Sequence, residues 1–339
     1  MNNESLKTWL RRPLRPLPPV VSMINQEPPS RSRGVTKLDC TVLAARGGSV
    51  PVRLVERMAL HLSDQLDSHL HNVPVDPKVV RGAQVWEDYV KETMVLTMEK
   101  SVEGGILHHA CQMATMIMQK ADNIWRMDLT TSRFCHPREV SLVEENESDF
   151  WIGAAERLPS LPILHPRDVG RIMDERAALP SQPLAELDLP AFTFSSKGGI
   201  SDLVYLLEDA NGVNQVMYLI EVKADTVLSR EDFDELERRL LDGGGLATLR
   251  LVLLSNGNLQ VISELGRHLT DIVTQLVMNK TDLGLLTNGQ RSLIFEWDGN
   301  ELCLSRQVNH EIFPLHRSLV ALGVHCRRRR RFAPIEPTI

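Results

Sequence analysis

Residues 199–223, GISDLVYLLEDANGVNQVMYLIEVK, constrain this chain more than any other stretch. Two runs of strand-forming residues flank an Asn211–Gly212 pair. Asn-Gly favours a two-residue type I′ hairpin turn, because both central positions need positive φ. With Asn211 and Gly212 at those positions, Ala210 faces Val213, Glu208 faces Gln215, Tyr205 faces Tyr218 and Asp202 faces Glu221. Side chains alternate along a strand, so Lys223 shares a face with Glu221. One turn thus gathers Asp202, Glu221 and Lys223 at one end of one face, and a slip of one residue would send Glu221 to the other.

Two carboxylates opposed on a sheet repel, and apolar neighbours such as Val204, Leu206 and Leu219 add a desolvation cost. Such a pair calls for a raised pKa, a nearby cation or a bound metal. Paired hard oxygen ligands suit Mg²⁺ or Mn²⁺, ions that retain waters and bind substrate phosphates. Lys223 beside them is placed to orient or deprotonate a water and to offset charge in the transition state. The expected chemistry is metal-assisted phosphodiester hydrolysis.

Around this hairpin the chain divides into four parts. Residues 1–36, rich in Pro and Arg, read as a disordered or polyproline-like arm. A helical region over 50–150 is expected to pack on the core. It comprises helices over 51–72 (stripe Leu54, Met58, Leu62, Leu66, Leu70), 83–99 and 103–125. His69, His71, His108 and His109 lack ligand spacing and read as structural, and Met113, Met116 and Met118 as core filling. Within 160–320, a helix over 167–178 and a strand over 190–196 precede the hairpin. After Lys223, Ser229 and Asp232 open a helix as a capping box, and Gly243–Gly245 end it. A strand over 248–255, an Asn256–Gly257 loop and a long helix over 259–278 follow. Three more strands then appear in DLGLLTNG, SLIFEW and ELCLSR, the last two forming a hairpin about Asp298–Gly299–Asn300. From the motif onward the expected order is β-β-α-β-α-β-β-β. The end, 326–339, reads as a basic tail with five consecutive arginines, Arg327–Arg331, of the kind that serves nuclear import or phosphate binding.

Bulk properties exclude several classes. The five cysteines are odd in number and lack CxxC spacing, which argues against a disulfide framework or zinc site and fits an intracellular protein, nuclear or cytoplasmic. No apolar run reaches transmembrane length, so no membrane association is expected. The net charge of −6 disfavours a broad phosphate-binding surface but permits a local site with a bound metal. No Walker loop or GxGxxG occurs, and Gly243–Gly245 follows a helix rather than a strand.

The Asp202…Glu221-x-Lys223 pattern resembles the D…ExK core of the PD-(D/E)XK nuclease superfamily, the restriction-endonuclease-like fold. The later order is similar too. A helix with Gln275 precedes Gly284–Gly289 and SLIFEW, resembling a "GVLTNG…W.FF" strand pair, and Trp297-Asp298-Gly299 through Ser305-Arg306 resembles a "WD.G..L.LSR" stretch of fungal members. The resemblance covers about residues 190–306. It implies an α/β (α+β) core with a mixed central sheet flanked by helices, plus the N-terminal helical region. It implies Asp202 and Glu221 as ligands of Mg²⁺ or Mn²⁺, Lys223 as catalytic lysine and Gln275 as an auxiliary polar group. An upstream helix often adds a Glu, for which Glu103 and Glu175 are candidates. Ser201 stands where the stricter pattern has Pro. The implied function is a metal-dependent nuclease acting on DNA or RNA. The alternative is a catalytically inactive nuclease-fold module that binds protein or nucleic acid.

Overall fold

The computed structural model describes residues 5–12, 15, 17, 40, 42–44, 46–92, 99–124, 132–135, 163–164, 201–208, 214–254, 259–263 and 268–332. They form a mixed α/β structure in which one twisted sheet separates two helical layers. In chain order the strands are β1 (Ser49–Leu54), β2 (Ser132–Cys135), β3 (Ile163–Leu164), β4 (Leu203–Glu208), β5 (Asn214–Val222), β6 (Leu246–Leu254), β7 (Leu259–Ser263), β8 (Leu283–Thr287), β9 (Arg291–Trp297), β10 (Leu302–Leu304) and β11 (Val308–Asn309). The sheet runs β2-β4-β5-β8-β9-β10-β1-β6-β3, with β11 on β9 and β7 on β6. It is mixed: β5 and β8, β1 and β10, and β3 and β6 are parallel, and the remaining pairs antiparallel.

One layer contains α1 (Leu6–Leu10), α2 (Met58–His69), α3 (Pro77–Glu92), α4 (Glu99–Gly105), α5 (Gln112–Ile124) and α8 (Leu315–Phe332). A six-residue π-helical turn, Ile106–Cys111, joins α4 to α5. The second layer contains α6 (Arg230–Asp242) and α7 (His268–Met278). Each layer seals a different face of the sheet. Tyr205, Tyr218, Ile220 and Val222 face the larger layer, whereas Val204, Leu206, Val216 and Leu219 face α6 and α7. Alternation along β4 and β5 thus supplies both cores, as expected for central strands buried on two sides.

Local signals behave as expected in several places. Ser229 Oγ accepts from the Asp232 N–H, and an Asp232 oxygen accepts from the Ser229 N–H, completing the capping box of α6. Gly244 and Gly245, with φ of 69° and 83°, end that helix. The stripe Met58, Leu62, Leu66 and Leu70 is buried along α2. Cross-strand pairs Leu302↔Trp297 and Leu304↔Phe295 form the hairpin about Asp298–Asn300.

Four expectations are corrected. Residues 49–54 form a strand instead of opening a helix. Their period-2 burial, with Val50, Val52 and Leu54 inside, lets them pair with β6 and β10 from far along the chain. Residues 259–263 likewise form β7 against β6, so α7 begins only at His268. The helix expected over 83–99 starts instead at Pro77, where the Asp76 carboxylate accepts from the Lys78 N–H. Finally, the two ends are not simply arms. Leu6, Trp9, Leu10 and Leu17 lie in the core. The arginine run continues α8: Arg327 is buried and donates to Tyr205 Oη at 2.6 Å, and Arg329 pairs with Asp282 at 3.1 Å. The helix expected over 167–178, the strand over 190–196 and the Asn211–Gly212 turn lie outside the described residues. No helix among the described residues is long and apolar enough to cross a membrane.

The buried end of α8 is tied to α1 and α2 by charge. Asp67 on α2 accepts from Arg317 Nη2 at 2.9 Å and also pairs with Arg11 just after α1. Trp9, 5% exposed, packs its ring 6.0 Å from that of His316. Truncating a buried tryptophan costs about 3–5 kcal/mol. Trp9→Ala is therefore expected to lower the unfolding free energy in urea by about 3 kcal/mol. A change below about 0.5 kcal/mol, the usual size at an exposed position, would detach α1 from the core.

Candidate active site

Asp202 immediately precedes β4, and Glu221 and Lys223 lie at the end of β5. Their meeting depends on the register of the β4–β5 hairpin. At the site end Leu203 pairs with Ile220 and Tyr205 with Tyr218, which continues to Asp202 opposite Glu221 as the sequence implies. Between Tyr205 and Leu206 the register shifts by one, so Glu208 pairs with Asn214 rather than Gln215. A β-bulge absorbs one residue. Met217 and Tyr218 consequently both face the larger layer, and the two halves of the hairpin keep their buried faces despite the shift.

The three residues are brought together as expected. An Asp202 carboxylate oxygen accepts from the Val222 N–H at 2.7 Å. Glu221, only 4% exposed, has both oxygens engaged: Oε1 takes the Lys223 ammonium, and Oε2 accepts from Gln275 Nε2 at 2.7 Å. The Lys223 main chain is fixed by its N–H to the Thr287 carbonyl at 2.9 Å, which locks the end of β5 to β8. Gln275 reaches the site from α7, whose Leu269, Ile272, Val273 and Leu276 pack on the sheet.

Electrostatics singles out Asp202. Its carboxyl is pushed up to about 8, first by burial and next by the Glu221 charge; Lys223 and the Val222 N–H oppose the rise, and Glu103 adds to it. Glu103 lies on α4, which packs against β5. The charge of this upstream candidate is therefore felt at the site. Glu175 lies outside the described residues. Two carboxylates thus share one ammonium, with the Glu103 charge felt from α4. Two buried polar atoms beside them, Ser201 Oγ and Gln275 Oε1, have no hydrogen-bond partner among the described residues. Hard oxygens gathered in this way are of the type that could hold a divalent cation that keeps part of its water shell.

A second group, Asp298, Glu301 and Cys303, had no sequence motif to announce it. Their ligand atoms lie within 4.8 Å of one another. Arg53 already fills this cluster, donating from Nε to Glu301 at 2.6 Å and from Nη2 to Cys303 Sγ at 3.3 Å. The Cys303 thiol is pushed up to about 11, first by burial, and so stays protonated at neutral pH. Asp298 caps its own turn by accepting from the N–H groups of Asn300 and Glu301.

Comparison with protein-family models, with curated proteins and with solved structures finds no match for this chain.

The raised Asp202 carboxyl has a signed consequence. A carboxyl whose folded pKa lies above its unfolded value binds more protons in the folded state across the interval between them. Stability from this group is then complete below the unfolded value of 3.8 and is lost as pH rises through about 8. Asp202→Asn keeps an acceptor for Val222 but removes the charge. In EDTA, the wild type is expected to lose melting temperature between pH 5 and 8.5 more steeply than Asp202→Asn. Parallel curves for the two proteins would show that Asp202 is already ionised at pH 5.

Proposed function

We propose that this protein is a metal-dependent nuclease with a PD-(D/E)XK-type core, hydrolysing phosphodiester bonds of DNA or RNA with Mg²⁺ or Mn²⁺. The observation that carries this reading is the buried pairing of Asp202 with Glu221, with Lys223 on the same carboxylate. The β4-β5-α6-β6 order with α7 behind the motif supports it. The third carboxylate, Glu103, supports it further.

Each side chain has a distinct task. Asp202 and Glu221 would hold the divalent ion, with Glu103 completing the acidic set. The bound ion supplies Lewis acidity toward phosphate oxygen and water. Gln275 fixes one oxygen of Glu221, so the carboxylate keeps its orientation when Lys223 leaves it. Lys223 then serves the reaction itself: its ammonium offsets the charge that builds on phosphate oxygens as the attacking and leaving oxygens line up. Asp202 would hold the ion in its ionised form, so ion binding would be linked to loss of the proton that burial otherwise retains.

Two outcomes test this. Mn²⁺ is expected to raise the melting temperature of the wild type, because it binds the folded state alone, and to support cleavage of single- or double-stranded nucleic acid. Both effects are expected to vanish in Glu221→Ala. No metal shift and no cleavage by the wild type would favour the inactive nuclease-fold module. Lys223→Ala separates binding from chemistry. With its competing ammonium gone, Glu221 is expected to bind Mn²⁺ at least as tightly, while cleavage falls by about 10²–10³-fold, the usual effect of losing one transition-state donor. Equal loss of metal binding and cleavage would instead make Lys223 a structural partner of Glu221.

A further inference from the structure

A cavity of about 510 Å³ opens at the opposite end of the sheet from Glu221. Met217 and Leu283, near the starts of the parallel strands β5 and β8, line it, whereas Glu221 and Thr287 lie four residues further on. At about 3.3 Å per residue the two places are about 13 Å apart. Ligand sites commonly have volumes of this order, with a mainly apolar lining and a few polar groups. Here the apolar part is Met217, Leu276, Leu283 and Trp297, and the rim carries Arg46, Lys280 and Arg329.

These three cations are not equivalent. Arg329 is neutralised by Asp282 and Glu296. Arg46 lies 5.4 Å from the Trp297 ring centroid and, among the described residues, donates to a neutral acceptor, the Gly299 carbonyl, at 3.3 Å. The Lys280 ammonium has no partner among the described residues, and its side chain is exposed. Against the two carboxylates, one of which, Asp282, also lines the cavity, the three cations leave a net positive charge beside an indole.

The backbone gives an independent indication. Lys280 has φ of +49°, the only positive φ outside glycine among the described residues. It stands two residues after Met278, the last residue of α7, in a Schellman turn, with Lys280 N–H bonded to the Val277 carbonyl at 3.2 Å and Thr281 N–H to the Leu276 carbonyl at 3.1 Å. That position usually holds Gly, sometimes Asn, because a Cβ there is strained. A lysine gains something from the helix dipole at such an end. That gain, however, is equally available from a side chain in the preceding turn, with no left-handed backbone. Strain retained at the lip of a cavity points to a role for the side chain it places there.

We propose that this cavity binds a small organic anion: a phosphate or carboxylate group on a flat apolar ring. Lys280 and Arg46 meet the anion, and Trp297 with its apolar neighbours meets the ring. Adenosine monophosphate is a suitable probe. Inorganic phosphate and adenosine separate its two halves, and EDTA removes any binding through a metal at the carboxylates. By calorimetry the full-length protein is expected to bind adenosine monophosphate with a Kd on the order of 1 mM or tighter. Each half alone is expected to bind roughly tenfold more weakly. Loss of one charge-assisted contact corresponds to about tenfold, so Lys280→Gly and Arg46→Gln are each expected to weaken binding by that factor. Lys280→Gly is also expected to raise the melting temperature by a few degrees, as the left-handed strain is relieved. Stability rising while binding falls shows that the variant is folded and that the lysine is retained for the ligand. Absence of heat with the nucleotide at concentrations well above 1 mM would overturn the proposal, as would unchanged affinity in both variants.

Discussion

Glu221 is a carboxylate inside a sheet, and much of the surrounding structure follows from making that tolerable. An isolated buried charge is expensive, and this one has a second carboxylate opposite it. Its two oxygens are therefore met from two directions, by Lys223 along its own strand and by Gln275 from α7. Neither partner is free to drift. Lys223 is anchored through its backbone to Thr287, and Gln275 sits on a helix whose apolar side is committed to the core. Even so, one ammonium does not balance the acids gathered there. Asp202 keeps a proton to an unusually high pH, first because it is buried and next because of the Glu221 charge.

Precision at this point is obtained by placing irregularity elsewhere. The hairpin carries a bulge at Tyr205/Leu206, well short of the carboxylates. Inward and outward faces are correct on both sides of it because Met217 and Tyr218 turn to the same layer. A bulge at Leu203 would have separated Asp202 from Glu221. The stack of Tyr205, Tyr218 and Phe134, with centroids 4.8–5.9 Å apart, packs over this stretch on the far face. Arg327 bonds the Tyr205 hydroxyl, and Tyr218 donates to the Leu319 carbonyl. Helix α8 thus clamps the bulged part of the hairpin, while the site lies beyond it.

The parts of this arrangement that were legible in the sequence are local ones. The alternation along the two strands, the capping box at Ser229 and the glycine stop at Gly243 each act within a few residues, so their meaning does not depend on distant partners. The failures share the opposite character. SVPVRL reads as strand only when β10 and β6, roughly 200 residues or more away, supply its hydrogen bonds. LQVIS is spaced well enough for a helix until β6 pairs with it. The arginine run looks solvated because nothing nearby in sequence foretells that Tyr205 will take Arg327. Within the site, Glu103 could be named only as one of two acids, since its approach to Asp202 depends on how α4 packs across β5. Lys280 carried no sequence signal, because the left-handed turn that makes it unusual appears only in the backbone.

Helix α7 links the two ends of the sheet: it presents Gln275 to the carboxylates and ends in the Lys280 turn at the cavity. Physical connection does not by itself couple two places. Coupling needs an element with two arrangements that each place biases differently. The interior of α7 offers little freedom of that kind. Leu269, Ile272, Val273 and Leu276 are fully buried, Thr274 bonds back to the Thr270 carbonyl, and Asn279 Nδ2 holds the Gln275 carbonyl at 2.7 Å. Close-packed helices of this kind resist continuous deformation. The turn after Met278 is different, since it is strained and its lysine is exposed. An occupant there acts on the backbone at Lys280, next to the Asn279 that holds the Gln275 carbonyl, so any coupling to the carboxylates runs through that one residue. The helix is a common wall for the two places, and its close-packed interior leaves the turn as its adjustable end.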